Sequence, residues 1–235
     1  MNILFLMMGG SGTRFGASRP KQYTLIDDVP VFAYILRGYN QMDEIDKLVV
    51  VSHKDWLDYV EEWKEKFHID KLTHIVKGGD TRSESVLNGL SAVKDIAAHD
   101  DVVLLCDATH PYVDVEGTKG VIEGVKKYGG ATLGQRQYDT VYRMNAETCM
   151  LEQVVPRQEI VSGASPEAFR FGDIYKIYSE ASKEELEAMT SAGAIALAHH
   201  IPMVVVPASV TNLKITYPGD MDVFKKLVHT YFFEE

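Results

Sequence analysis

Short apolar runs alternate with longer amphipathic stretches along the first half of the chain. Four runs have the length and composition of buried strands, namely residues 3–6, 48–51, 74–76 and 102–106. Four stretches have the length of helices, namely residues 31–42, 56–67, 83–96 and 115–127. Strands that alternate with such helices predict βαβ units and a mainly parallel sheet with helices on both faces. The pattern therefore predicts an α/β fold.

The alternation breaks in the second half, where two extended pieces surround a turn at residues 144–149. A partial alternation of apolar and polar positions is formed by Tyr138, Val141, Leu151 and Val154. It predicts a β-hairpin arm over about 136–158. Because isolated hairpins are marginally stable in water, we expect the arm to pack on a second subunit. A homodimer follows from this interpretation.

The rest of the chain predicts two helices, two strands and a final helix. In order, they are helices at residues 165–179 and 183–200, strands at 202–207 and 211–216, and a helix from about Pro218. We find no internal repeat, low-complexity tract or linker, so we expect residues 1–235 to form a single domain that carries the arm.

Charge and composition narrow the classes of partner. The chain of 235 residues has a net charge of −10, but its first 26 residues carry +3, so the other 209 carry −13. An acidic protein of this kind is not expected to bind nucleic acid, which attracts broad basic patches. No apolar run is long enough to span a membrane. Two cysteines without a C-x-x-C motif predict a reduced, cytoplasmic protein without a structural zinc site.

A glycine-rich loop follows the first predicted strand. It contains Gly9, Gly10 and Gly12, and its cations include Arg14 and Lys21. The loop matches neither the P-loop nor the dinucleotide fingerprint. Glycines after a strand still let backbone N–H groups approach an anion, and the cations add positive charge. The loop is typical of a pocket for a nucleoside triphosphate; the alternative is a turn with solvated cations.

Other candidate residues follow the later strands, because ligands of parallel sheets bind at the carboxyl ends of strands. Ser83 or Ser85 is expected to cap or line the helix after the Gly78-Gly79 turn. Asp107 follows the fourth strand, where a Mg²⁺ ligand would lie; the alternative is a turn or cap residue.

Three further residues have an ordinary structural interpretation beside a functional one. Cys106 is expected to be a small buried residue at a strand end. His110 is either catalytic or structural, and the structural role is the commoner one for such a loop histidine. Lys214 lies in a predicted strand, where it either faces the site or is a solvated edge lysine.

Taken together, the motifs resemble those of the 2-C-methyl-D-erythritol 4-phosphate cytidylyltransferase family, which also includes the ribitol 5-phosphate cytidylyltransferases of wall-polymer synthesis. In chain order, the matching motifs are the glycine loop with Pro20-Lys21-Gln22-Tyr23, Gly78-Gly79-Asp80 with Arg82 and Ser85-Val86, Asp107 with Pro111, Asp139-Thr140, Arg157, and Asn212-Leu213-Lys214-Ile215-Thr216. The resemblance covers nearly the whole chain.

This resemblance implies a Rossmann-like nucleotidyltransferase fold and a homodimer built through the arm. It implies Mg²⁺-dependent transfer of CMP from CTP to a small polyol phosphate, with release of pyrophosphate. The implied catalytic residues are Arg14, Lys21 and Lys214; the implied nucleotide-binding residues are Gly9, Gly10, Gly12, Gly79, Asp80 and Ser85. The implied acceptor-binding residues are Thr140, Arg157 and Thr190, and the implied metal ligand is Asp107.

The chemistry of this reaction suits the residues present. A phosphate monoester is mostly dianionic at pH 7, since its second pKa is about 6, and it can attack phosphorus without a general base. Catalysis then consists of positioning and of stabilising crowded negative charge. Arg157 can bind the acceptor phosphate with two parallel hydrogen bonds, which a lysine does less well.

Departures from the family pattern leave the acceptor open. They lie at Met7-Met8-Gly9, at residues 106–111, at residues 164–167 and at Thr190-Ser191-Ala192. Methylerythritol phosphate, ribitol phosphate and glycerol phosphate all stay candidates. Two other functions also stay open, a nucleotidyltransferase for a sugar 1-phosphate and an inactive nucleotide-binding regulatory protein.

Overall fold

A computed structural model of the protein describes residues 1–10, 19–188 and 191–232. Its strands are β1 (Asn2–Met8), β2 (Leu25–Ile26), β3 (Val29–Pro30), β4 (Lys47–Ser52), β5 (Leu72–Lys77), β6 (Val102–Asp107), β7 (Gly130–Arg136), β8 (Val141–Met144), β9 (Leu151–Val155), β10 (Val161–Arg170) and β11 (Met203–Pro207). Its helices are α1 (Val31–Asn40), α2 (Leu57–Lys66), α3 (Arg82–Ala92), α4 (Val115–Tyr128), α5 (Phe171–Glu180), α6 (Lys183–Ala188), α7 (Ala192–Ala198) and α8 (Pro218–Phe232).

In the described residues, the central sheet has seven strands in the order β11-β7-β10-β6-β1-β4-β5. Neighbouring strands are parallel except for β10, which is antiparallel to both β6 and β7. The predicted mainly parallel sheet is therefore confirmed.

Helices cover both faces of the sheet. Along β1, Leu4 and Leu6 point into one core and Ile3 and Phe5 into the other, because successive side chains of a strand alternate. The first core takes side chains from α1, α2, α4 and α8, and the second from α3, α5, α6 and α7. Burial on both faces explains why these strands appear in the sequence as continuous apolar runs.

The strand register brings the expected loops to one edge of the sheet. Met7 of β1 pairs with Asp107 of β6, and Met8 pairs with Ser52 of β4. The Gly78 N–H donates to the Ser52 carbonyl at 2.8 Å. The glycine loop, the Gly78 turn and Asp107 therefore begin within a few ångströms of the same strand ends.

The predicted helix at residues 165–179 is wrong in its first part, because Val161–Arg170 form strand β10. Buried Ala164, Pro166 and Ala168 alternate with the less buried Ser165 and Glu167, but such small residues give a weak hydrophobic pattern. The register shifts between Gly163 and Glu167, and Pro166 lies inside this irregularity. A proline is tolerated there because its missing N–H leaves no ladder bond broken.

Three other predictions about the second half need correction. Strand β7 was not predicted and takes up Arg136, which the sequence assigned to the arm. The predicted helix at 183–200 is two helices, α6 and α7. The predicted strand at 211–216 has no regular structure, so Lys214 lies on a loop rather than in an edge strand.

The predicted hairpin is confirmed, with β8 antiparallel to β9. Tyr142 lies opposite Val154 and Met144 lies opposite Leu151, so these four side chains share one face of the ribbon. All four are exposed, Leu151 to 62% and Val154 to 60%.

Among the helices of the described residues, none is both long and apolar enough to cross a membrane.

Candidate active site

A cleft of about 910 Å³ opens at the carboxyl edge of the sheet. Its lining is shared by the loops that follow β1, β5 and β6 and by loops of the second half. Predicted site residues in this lining are Gly9, Gly10, Lys21, Gly79, Asp80, Ser85, Asp107 and Lys214.

One wall of the cleft is the turn before α3. The Ser85 hydroxyl accepts the Gly79 N–H at 3.1 Å and donates to the Thr81 carbonyl at 2.8 Å. Thr81, rather than Ser83 or Ser85, caps α3, and Glu84 completes a capping box. A Cβ atom on Gly79 would lie 2.3 Å from Cβ of Glu84, so the tight turn requires glycine.

The first glycines of the loop pack against this turn. An added Cβ on Gly9 would lie 3.1 Å from Ser85 Oγ, so the two segments are in close contact. The Gln22 amide donates to the carbonyl oxygens of Met8 and Gly10 at 3.0 and 2.9 Å. Gln22 thus links the two ends of the loop, a role the sequence did not reveal. Gly12 and Arg14 lie outside the described residues.

The segment that contains Lys214 and Ile215 positions both Lys214 and Lys21 at the cleft. The Lys21 ammonium donates to the Ile215 carbonyl at 2.5 Å, and the Ile215 N–H donates to the Thr109 carbonyl at 2.7 Å. The Lys214 ammonium then lies 3.7 Å from Asp107 Oδ2. The fold therefore brings two predicted cations and the predicted metal ligand together.

Asp107 has a second cationic neighbour. Arg82 Nη2 donates to Asp107 Oδ1 at 3.0 Å, and Ser165 Oγ accepts the Asp107 N–H at 3.0 Å. Although burial by itself raises the pKa of Asp107, Arg82 and then Lys214 outweigh it and hold that pKa below its usual range. Asp107 is an anion at neutral pH. Arg82 belongs to one of the motifs that match the family, but its position in the sequence did not assign it a role.

The donor set suits Mg²⁺ that arrives with a triphosphate. Asp107 is the predicted ligand, and the described residues contain no cluster of three His, Cys, Asp or Glu side chains able to hold a metal. Mg²⁺ usually keeps several waters and binds one or two carboxylates together with substrate phosphates. A single carboxylate ligand such as Asp107, exposed to the cleft, fits this pattern.

His110 also lines the cleft, and its Nδ1 atom is buried without a hydrogen-bond partner among the described residues. Burial, with help from Lys214, lowers the pKa of His110 to about 4, so its imidazole is neutral at pH 7. Cys106 is only 1% exposed, which confirms the prediction of a small buried residue. Burial raises the pKa of its thiol to about 11, which makes it a poor nucleophile.

Two of the predicted acceptor residues, Thr140 and Arg157, lie outside the lining of this cleft. Thr140 and Arg157 are exposed at the base of the arm, where the Arg157 guanidinium donates to the Tyr138 carbonyl. Neither contributes to the lining of the cleft in its own chain, as far as the described residues show. Thr190 lies outside the described residues, but its neighbour Ser191 lines the cleft.

Comparison with known protein families matches the sequence to one family. The family model for IspD, 2-C-methyl-D-erythritol 4-phosphate cytidylyltransferase, matches residues 3–229. The chain belongs to this family. It is therefore a CTP-dependent nucleotidyltransferase, a cytidylyltransferase, as the resemblance of its motifs implied.

Individual relatives fall into two groups by name. The chain is 31% identical to the 2-C-methyl-D-erythritol 4-phosphate cytidylyltransferase of Clostridium novyi (strain NT), over 97% of this chain and 96% of the relative. It is also 31% identical to the ribitol-5-phosphate cytidylyltransferase of Streptococcus agalactiae serotype Ia, over 97% and 95% of the two chains.

A solved structure confirms the fold. The 2-C-methyl-D-erythritol 4-phosphate cytidylyltransferase of Francisella tularensis superposes with a TM-score of 0.75 at 25% identity, over 95% of this chain and 98% of that one. The predicted α/β nucleotidyltransferase-like fold is thus confirmed.

Proposed function

We propose that the protein transfers CMP from CTP to a small polyol phosphate in a Mg²⁺-dependent reaction that releases pyrophosphate. The observation that supports this most is the convergence of Lys21, Lys214 and Asp107 in one cleft, beside the Gly79–Ser85 turn. A cleft in which two lysines lie near the ionised carboxylate of Asp107 suits a metal-bound triphosphate.

The nucleotide is proposed to lie across the two glycine-containing loops. Gly79, Asp80 and Ser85 are assigned to the cytidine side, and the loop with Gly9, Gly10 and Gly12 to the phosphates. Glycines at the cleft allow a close backbone approach to the ligand. Arg14, Lys21 and Lys214 are assigned to the phosphate charge.

The acceptor phosphate itself is the nucleophile in this scheme. One of its oxygen atoms forms a bond to the α-phosphorus of CTP while the bond to the bridging oxygen breaks, and the electron pair leaves with pyrophosphate. Because the acceptor is a dianion, no proton needs to be removed, which agrees with a neutral His110 and an unreactive Cys106. Lys21 and Lys214 stabilise the charge that gathers at phosphorus. Mg²⁺ on Asp107 would neutralise phosphate charge when bound.

The arm is proposed to form a homodimer and to complete the partner's site. Tyr142, Met144, Leu151 and Val154 form an exposed apolar face on a ribbon that has no core of its own. Thr140 and Arg157 lie outside the cleft of their own chain, which supports their assignment to the acceptor phosphate of the partner. Thr190 is assigned to the acceptor side.

The acceptor is proposed to be 2-C-methyl-D-erythritol 4-phosphate, ribitol 5-phosphate or glycerol phosphate. Relatives at the same identity carry the first two names, so sequence similarity alone does not choose between them. The cytoplasm is the proposed compartment, since both cysteines are free and thiols persist under reducing conditions.

A pyrophosphate-release assay tests the proposal directly. Each of the four nucleoside triphosphates is combined with each polyol phosphate and with a sugar 1-phosphate, with Mg²⁺ or with EDTA. We expect release with CTP, Mg²⁺ and one polyol phosphate, and little with ATP or GTP. Activity that survives EDTA would contradict the metal requirement. Activity only with a sugar 1-phosphate would contradict the acceptor class.

A further inference from the structure

Arg82 lines the cleft but has no role in the proposed reaction. It is the first residue of α3, and its side chain extends across the cleft to Asp107, 25 positions later in the sequence. It binds Asp107 Oδ1 at 3.0 Å, whereas Lys214 lies 3.7 Å from the other oxygen, Oδ2. The two oxygens of Asp107 therefore have different neighbours.

The charge of a second carboxylate, that of Glu167, also acts on Arg82. Burial by itself lowers the pKa of Arg82, but the negative charges of Asp107 and Glu167 outweigh it and raise that pKa above its usual value. Glu167 is itself fixed, since its Oε1 atom accepts the Gly193 N–H at 3.2 Å. Arg82 is thus bonded to Asp107 and influenced by a second fixed carboxylate. Its side chain is 33% exposed, whereas that of Lys214 is 53% exposed.

We propose that Arg82 is a positioning residue that fixes the rotamer of Asp107 so that Oδ2 alone faces the Mg²⁺ accompanying CTP. This inference rests on the proposed Mg²⁺ dependence. An arginine suits the task because its planar guanidinium presents several N–H groups in fixed directions, whereas a lysine offers one compact charge. Partners of this kind typically contribute 10-fold to 100-fold to metal affinity.

Metal binding without turnover provides the test. Mn²⁺ replaces Mg²⁺, and its binding to the enzyme with the non-reactive α,β-methylene analogue of CTP is followed by electron paramagnetic resonance. We expect Arg82→Met to weaken Mn²⁺ binding by about 10-fold to 100-fold, and Arg82→Lys to restore part of the loss. Arg170→Gln is the control, because it removes an arginine that donates to Lys126 O, away from the cleft, and should leave the affinity unchanged.

A double-mutant cycle separates positioning from other roles. If Arg82 acts through Asp107, Arg82→Met should weaken Mn²⁺ binding no further in an Asp107→Asn background. Independent, additive losses would overturn the inference. So would an unchanged Mn²⁺ affinity combined with weaker binding of the CTP analogue measured without metal, since Arg82 would then bind phosphate directly.

Folding and the wider proposal are checked in the same experiment. Thermal unfolding shows whether the Arg82→Met variant is folded. If that variant is unfolded, the Mn²⁺ affinity of Arg82→Lys, which keeps the charge, tests the inference instead. A wild-type enzyme that binds no Mn²⁺ would overturn the metal requirement and this inference together. If the wild-type enzyme binds Mn²⁺ and both Arg82 variants bind it with the same affinity, only this inference would be overturned.

Discussion

The strands that end at the cleft and the strands of the arm differ in what holds them in place. In β1 and β6, residues such as Phe5 and Leu104 are fully buried, and each strand has a neighbour on both sides. In β8 and β9, Tyr142 and Val154 face outward, and within the described parts of the chain each of these strands pairs only with the other. The cleft therefore has its supporting core within one chain, whereas the arm has none.

This difference separates the two halves of the proposed reaction. Groups assigned to CTP are positioned by a packed sheet and by hydrogen bonds such as that from Lys21 to Ile215. Groups assigned to the acceptor, Thr140 and Arg157, are exposed at the base of the arm. Nucleotide binding should depend on the fold of one chain, and acceptor binding on assembly.

Removing Lys21 should have the largest effect. We expect Lys21→Ala to lower kcat by about 10²–10³, the usual scale for one preorganised charge that stabilises a transition state. Lys21→Arg should restore only part, because a planar fork does not replace a compact ammonium. Steady-state kinetics measure both, with Lys64→Ala on the surface of α2 as the control. Near-normal turnover of Lys21→Ala would show that the hydrogen bond from Lys21 to Ile215 is structural and that Lys21 has no part in catalysis.

Mixing two inactive variants tests whether the arm completes the partner's site. We expect Lys21→Ala and Arg157→Ala to be nearly inactive alone. After subunit exchange, about half of the dimers should be mixed, each with one intact site of two, so about a quarter of wild-type activity should return. If each arm served its own subunit, every site in a mixed dimer would be broken, and no activity would return after confirmed exchange.

A charge on the apolar face of the arm should weaken assembly. Val154→Asp places an unpaired carboxylate there, and we expect the dimer dissociation constant to rise by at least about tenfold. Gln153→Asp is the matched control, because Gln153 lies opposite Arg143 on the other face of the ribbon. Sedimentation velocity measures both variants. Equal effects of the two, or none, would contradict a contact through this face.

The neutral state of His110 should appear in the pH dependence of stability. Its pKa falls from 6.5 to about 4 on folding, so between these values the unfolded chain binds a proton that the folded chain does not. The free energy of unfolding should therefore decrease as pH falls through this window, by at most about 1.4 kcal/mol per pH unit. His110→Gln, which leaves Asp107, Lys21 and Lys214 in place, should lose this contribution in urea titrations. An unchanged pH dependence would show that His110 is not held neutral.

The smallest expected effect is a difference in thiol reactivity between a cysteine of the core and a cysteine of the arm. Cys106 is buried in β6, and Cys149 is exposed in the turn of the arm. With a disulfide reagent, the native wild type should react at one thiol per chain and the Cys149→Ser variant at none until it is unfolded. A rapid reaction of the Cys149→Ser variant would show that β6 is less well packed than its burial implies.

The first half of the fold was predictable because its strands are buried on both faces. Four apolar runs and four helical stretches marked β1, β4, β5, β6 and the helices between them to within a few residues. Strands β7 and β10 were missed because glycine and alanine occupy many of their buried positions, and such residues give little hydrophobic contrast.

Sequence by itself determined the residue types of the site and the edge of the sheet at which they lie, because the carboxyl ends of parallel strands meet at one edge. Only the tertiary structure decided their contacts. Lys21 meets the carbonyl of Ile215 across 194 positions, and Arg82 meets Asp107 across 25. Pairings of this kind depend on where loops pack after the sheet has formed, and a linear pattern of apolar and polar positions contains no distance between two loops.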